Sequence, residues 1–209
     1  MINFPLADEA DEDGIVLVGG QVNAQNLISA YRKGIFPWPV HPEPYPILWF
    51  SPDPRGVLFL ENFHQSRSLK KFIRKSDFTI TMNQNFQEII NLCKKAKRKD
   101  SGTWITQEVI NGYVELHQLG KAYSIEVRKD GDIVGGLYGV CIDDFYSAES
   151  MFFIEPQASK MAVTFLIELL NKKQVKWLDI QMVTPVTQSF GGEELPRKEF
   201  LKLLDACFY

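Results

Sequence analysis

Glu149, Asp179 and Gln181 are the side chains whose types and spacing are suited to chemistry on a bound substrate. Asp179 and Gln181 stand two apart in the run Trp177-Leu178-Asp179-Ile180-Gln181-Met182-Val183. On a strand that spacing puts both on one face. Glu149 stands between Ala148 and Ser150 in a stretch bordered by Phe145, Tyr146, Met151 and Phe152. A carboxylate in such an apolar strand faces solvent, is paired, or lines a cleft. Two carboxyls and an amide on neighbouring strands would suit a strand-built site.

Other groups suggest what such a site would bind. Basic residues bunch at Arg67, Lys70, Lys71, Arg74 and Lys75, and again at Lys94, Lys95, Lys97, Arg98 and Lys99. Runs of this kind are solvated faces or, where they share a surface, seats for several nucleic-acid phosphates. Tyr31, Trp38, Trp49 and Trp104 fall in polar or loop settings. They serve either as core and cover or as stacking partners for an unpaired base. Gly135, Gly136 and Gly139 cluster in one strand, which points to a bulge or twist ahead of close approach to a ligand. No glycine-rich strand-to-helix turn of the dinucleotide or P-loop kind is present. The helix beginning near Ser159 follows Ile154-Glu155-Pro156-Gln157-Ala158 and lacks a pyrophosphate-binding turn, which counts against acyl-coenzyme A as donor.

These residues need elements to position them. A helix is expected over 23–33, stopped by Gly34. Most of the prolines lie between 37 and 54, where they demand an extended, ordered loop carrying aromatic rings. Short strands are expected at 56–60 and 78–82, and a basic helix at 66–75. Phe86, Ile89, Ile90 and Cys93 mark one helical face. Thr106 caps a helix that Gly120 ends. AYSIEV and DIVGGLYGV form a hairpin around Asp130-Gly131, and FYSAESMFF adds a third antiparallel strand. A helix over 159–171, the strand WLDIQMV and a short helix after Pro196-Arg197 complete the chain. The pattern is α+β, with a small N-terminal unit over 1–54 and a main domain over 55–209.

The 209 residues are 45% hydrophobic, 23% charged and 12% aromatic, which excludes disordered, collagen-like and disulfide-scaffold classes. A net charge of −3 provides no global positive field, so any RNA contact must be local. Cys93, Cys141 and Cys207, like His41, His64 and His117, are scattered without metal-ligand spacing, so neither a zinc site nor a disulfide framework is expected. The start MINFPLADEADEDG lacks the basic and apolar parts of a signal peptide, and no apolar run reaches membrane-spanning length. The expectation is a cytoplasmic protein without a membrane anchor.

Taken in order, AYRKGIFPWP, PILWFSPDPRGVL, SRSLKKF, GTWIT, YVELHQLGKAYSIEV, VGGLYGV, AESMF, ASK, LDIQ and LPRKEFL resemble the bacterial leucyl/phenylalanyl-tRNA–protein transferase family over about residues 30–203. The resemblance implies a small N-terminal domain and a C-terminal acyltransferase domain of GNAT-like fold with a mostly antiparallel mixed sheet. It implies transfer of Leu or Phe, with Met a further donor, from aminoacyl-tRNA to proteins beginning with Arg or Lys, marking them for degradation. No cofactor or metal is implied, and the enzyme would act as a monomer.

By the same resemblance Glu149, Asp179 and Gln181 are catalytic. Tyr31, Trp38, Trp104 and Tyr113 surround the terminal adenosine and the aminoacyl group, and Leu137, Tyr146, Ser150 and Met151 the donor side chain. The basic run itself, rather than the resemblance, makes Arg67, Lys70, Lys71 and Arg74 the candidate seat for tRNA phosphates. An aspartate of ordinary pKa near 3.9 is a poor base for an amine, so Asp179 and Gln181 are expected to orient the acceptor amine. Glu149 and Asp179 together would supply negative potential for a basic N-terminal residue.

The chain departs from the family pattern at Ala148, Phe153 and Ile180, whose side chain is expected to face away from the site. Thr184-Pro185-Val186 stands in place of Asn-Asp-His. These departures leave open a divergent relative that binds N-termini or charged tRNA without turnover, or one with altered specificity.

Overall fold

The computed structural model describes residues 1–38, 46–96 and 103–208. The elements are β1 (Ile15–Val18), α1 (Ala24–Tyr31), β2 (Phe36–Pro37), β3 (Leu48–Phe50), β4 (Arg55–Phe59), α2 (Arg67–Lys75), β5 (Thr79–Met82), α3 (Phe86–Lys95), α4 (Gln107–Gln118), β6 (Ala122–Lys129), β7 (Asp132–Ile142), β8 (Phe145–Phe153), α5 (Ala158–Lys172), β9 (Trp177–Gln181), α6 (Pro185–Ser189), β10 (Glu193–Leu195) and α7 (Arg197–Asp205). The chain is α+β, as its pattern predicts. The stretch 39–45 of the proline-rich loop and the basic residues Lys97, Arg98 and Lys99 lie outside the described residues.

Local chemistry accounts for most boundaries. Asn23, Ser66 and Thr106 each accept a hydrogen bond from a backbone N–H in the first turn of α1, α2 and α4. Gly34 and Gly120 follow α1 and α4 with φ of +75° and +71°. Asp130 and Gly131, both with positive φ, close the β6–β7 hairpin.

The first sheet is small, in the order β1-β3-β2, and its strands run antiparallel. Pro37 sits on the edge strand β2, where a missing N–H costs no ladder bond. The second sheet has seven strands in the order β10-β4-β9-β8-β7-β6-β5. Every neighbouring pair is antiparallel except β8 and β9, which are parallel and connected by α5.

Alternation divides the sheet's side chains between two cores. Ile125, Val127 and Leu137 pack with Ala162, Leu166 and Leu170 of α5 on one face. Tyr138, Val140 and Ile142 pack with α3 and α4 on the other. This second core also takes in Leu27, Tyr31 and Trp49, so the N-terminal segments share it with the large sheet.

The clustered glycines answer to this packing. A Cβ on Gly135 would stand 2.5 Å from the Cβ of Ala158 at the start of α5. One on Gly139 would stand 1.9 Å from the carbonyl oxygen of Ser147. The chain's own close approaches, rather than a ligand, therefore require small residues there.

Candidate active site

The parallel strands β8 and β9 share one register pair, Ser147 with Asp179, and then part. Each carries an irregularity at that point. Between the pairs Tyr138–Ser150 and Gly139–Ala148, Glu149 is the extra residue of β8. Between Gly56–Gln181 and Val57–Asp179, Ile180 is the extra residue of β9. Bulges re-aim side chains and locally end pairing, and here two of them open a gap at the centre of the sheet.

The bulge in β9 overturns the expectation that Asp179 and Gln181 share a face. Gln181 has φ +56° and turns toward the gap, whereas Asp179 is fully buried against Arg55. Arg55 Nε donates to Asp179 Oδ1 (2.9 Å), and its terminal nitrogen NH2 donates to Oδ2 (2.6 Å). The Gln181 backbone N–H also donates to Asp179 Oδ1 (3.0 Å). Asp179 does not line the cavity and meets it through the Gln181 backbone. Ile180, expected to face away, lines the cavity instead.

Gln181 Nε2 donates to Glu149 Oε1 (2.7 Å), which also accepts from Ser147 Oγ (2.5 Å). Tyr113 donates its hydroxyl to Glu149 Oε2 (3.3 Å) and shares a 2.5 Å hydrogen bond with the Tyr31 hydroxyl. Burial, the largest influence, raises the Glu149 pKa to about 7, with the Asp179 charge acting in the same direction. The Ser147 hydrogen bond and the Arg55 charge oppose that rise. Burial, with the Glu149 charge next in size, pushes the Tyr31 and Tyr113 phenols well above their ordinary value, so they remain donors near neutrality.

Glu149 and Gln181 sit at the edge of a cavity of about 210 Å³. Its apolar wall comes from Leu58, Leu137, Val163, Leu166, Leu178 and Phe190. At another side the rings of Trp38 and Trp104 stack, with centroids 5.5 Å apart and planes inclined by 12°. Thr184 caps the one-turn α6 with Pro185 at its first position, and Thr184 and Thr187 both border the cavity. The segment that departs from the family pattern therefore forms part of the wall. Among the described lining residues Glu149 is the acidic one; Asp179 lies behind the cavity, paired with Arg55. The Arg55 pairing offsets the Asp179 charge, leaving the Glu149 carboxyl as the acidic group at the cavity edge.

The structure brings together Trp38, Trp104, Leu137, Glu149, Ser150, Met151 and Gln181 at this cavity. Tyr31 and Tyr113 are fully buried behind it and reach it through Glu149. Tyr146 is a correction. It borders a different cavity with Tyr123, His117 and Cys141, and Leu166 stands between the two spaces. Arg67, Lys70, Lys71 and Arg74 are all exposed on α2, which buries Leu69. Lys71 and Lys75 also edge an open cleft with Phe72, Phe78 and Lys129.

Sequence reading missed Arg55 and Ser147 as parts of the site, and Leu58, Val163, Leu178 and Phe190 as its wall. Arg55 had a signal: a cation beginning a short apolar strand must find a buried partner. No group of His, Cys, Asp and Glu among the described residues is placed to hold a metal ion. No helix among them is long and apolar enough to cross a membrane.

Two family models match this chain: "Leucyl/phenylalanyl-tRNA protein transferase" over residues 57–205 and the N-terminal domain of the same family over residues 20–53. A leucyl/phenylalanyl-tRNA–protein transferase of Pseudoalteromonas atlantica is 47% identical over 205 residues, covering 97% of this chain and 87% of that protein. Its counterpart in Maridesulfovibrio salexigens is 43% identical over 204 residues, covering 97% and 84%. Among solved structures, a GCN5-related N-acetyltransferase from Kribbella flavida aligns with TM-score 0.41 and 12% identity, covering 80% of this chain and 58% of that one.

Proposed function

Since the chain belongs to the leucyl/phenylalanyl-tRNA–protein transferase family, and so is an aminoacyltransferase acting from tRNA to protein, we propose that it transfers Leu or Phe to the α-amine of proteins beginning with Arg or Lys. The observation that carries this reading is the apolar cavity edged by stacked tryptophans on one side and the Glu149–Gln181 pair on another. The donor side chain enters the apolar wall, the terminal adenosine packs on Trp38 and Trp104, and the ester carbonyl lies beside Gln181. The product is a protein marked for degradation in the cytoplasm.

The chemistry needs no cofactor in this reading, because the aminoacyl ester is already activated. An α-amine with pKa about 7.7–8.0 is roughly a tenth neutral at pH 7. Its nitrogen attacks the ester carbonyl, the new C–N bond forms, and the bond to the ribose 3′-oxygen breaks. Glu149 takes the proton that the amine loses and returns one to the departing oxygen. A carboxyl of pKa about 7 is well matched to that exchange. Gln181, held by Asp179, keeps Glu149 aimed, and the Tyr31–Tyr113 pair supports its other oxygen. Glu149 also supplies the attraction for a cationic acceptor residue.

An apolar wall separates donors by size, at about 1–3 kcal/mol per methylene. Val163→Phe fills the cavity from α5, so transfer from phenylalanyl-tRNA is expected to fall at least about tenfold more than transfer from leucyl-tRNA. Competition between the two charged tRNAs measures the ratio, and an unchanged ratio removes this cavity as the donor pocket. On α2, reversing Lys70, Lys71 and Arg74 to Glu is expected to raise the Kd for charged tRNA by about tenfold or more at low salt. Unchanged binding there discards that surface.

A further inference from the structure

Four parts of the chain converge on the guanidinium of Arg55. Its side chain is 1% exposed, and the bidentate bond to Asp179 uses one edge of the fork. NH1 donates to the carbonyl oxygen of Gly34 in the turn after α1 (3.0 Å). The Phe36 ring of β2 lies 4.7 Å from the guanidinium carbon and the Phe200 ring of α7 lies 4.4 Å from it. Gly34 is crowded by the same helix, since a Cβ there would stand 3.0 Å from the Phe200 ring. Directionality is therefore imposed by hydrogen bonds in the guanidinium plane and by aromatic rings on its faces.

From there the constraint passes by short bonds to the cavity. Asp179 Oδ1 accepts the Gln181 N–H, Gln181 adopts its left-handed backbone, and its amide donates to Glu149. We propose that Arg55 is a positioning residue for aminoacyl transfer: it fixes Asp179 so that the Gln181 amide is held against Glu149 in the direction the reaction needs. The proposal rests on the reading that Glu149 and Gln181 face the reacting amine and ester. Lys cannot substitute, because a single ammonium reproduces neither the fork nor the stacking.

The test compares Arg55→Lys, the double variant Arg55→Met/Asp179→Leu, and Gln181→Ala as a reference, all in the full chain. Each is measured by thermal melting and by kcat and KM for charged tRNA and an Arg-initiated peptide. The double variant removes both buried charges together and is expected to stay folded. A displacement of about 1 Å costs about 100-fold in rate, so kcat is expected to fall by that order in Arg55→Lys and in the double variant, with both KM values little changed.

A folded Arg55→Lys or double variant that retains parental kcat overturns the proposal, as does a loss confined to KM. If the double variant does not fold, Arg55→Lys alone decides. Full activity in Gln181→Ala would instead overturn the reading of the site on which the proposal depends. An inactive Gln181→Ala beside a fully active Arg55→Lys refutes the role of Arg55 and leaves that reading standing.

Discussion

Glu149→Gln is expected to lower kcat by about 10²–10⁴-fold, the range for loss of a positioned acid–base group. Gln preserves the size of the side chain; its carbonyl oxygen at the Oε1 position can still accept from Ser147 and Gln181, while its NH2 at the other position donates to the Tyr113 hydroxyl, so the cavity keeps its shape. What disappears is the site that takes the proton from the amine. The pH profile provides the sharper test. Burial raises the Glu149 pKa to about 7, and the base works only when ionised. The parent rate should therefore rise with pH through about 7, with the amine's own ionisation adding a second rise near 8. In Glu149→Gln the lower limb vanishes and the amine limb remains. A variant with an unchanged profile would remove Glu149 as the base.

The same raised pKa has a consequence for stability. A carboxyl protonated more readily in the folded than in the unfolded chain stabilises the fold at low pH, below its unfolded value. That contribution is lost as pH rises from about 4.5 to about 7. Glu149→Gln removes this dependence, so its melting temperature should vary less than the parent's across that window.

Asp179→Ala carries the largest expected effect on stability. It leaves the guanidinium of Arg55 buried without its carboxylate, with Gly34 O as its remaining hydrogen-bond acceptor. Breaking one side of a buried ion pair costs about 3–5 kcal/mol. At about 2–4 °C per kcal/mol for a chain of this size, melting should fall by roughly 6–20 °C. The Arg55→Met/Asp179→Leu pair should recover most of that loss, because no uncompensated charge remains. Calorimetry on the three proteins checks the cycle. A fall of less than about 1 kcal/mol for Asp179→Ala would mean that the pair is solvated.

Local signals carried much of the fold. The caps at Asn23, Ser66 and Thr106, the Asp130-Gly131 turn and the helical face at Phe86, Ile89, Ile90 and Cys93 each express chemistry within a few residues. β1, α6 and β10 are three to five residues long and have no period to detect. The candidate site was legible as a set of residue types and less so as geometry. Alternation places Asp179 with Gln181 only if β9 is regular, and the extra residue Ile180 breaks that rule. Glu149 is itself the extra residue of β8, which depends on Gly139 meeting Ser147 across the hairpin. Tyr146 falls on the far side of Leu166 because α5 lies across the strand, a tertiary fact without a local signature. The role of Arg55 likewise depends on three segments far from it in the chain, around 34–36, 179 and 200.

The most direct test of the account is a mass-spectrometric transfer assay. It presents leucyl- and phenylalanyl-tRNA with peptides beginning Arg, Lys, Asp or Ala, and with an acetyl-CoA control. A single Leu or Phe is expected at the α-amine of the Arg and Lys peptides, and no acetylation. Addition to the Asp or Ala peptides in preference to these, or intact tRNA binding with no adduct on any peptide, would contradict it.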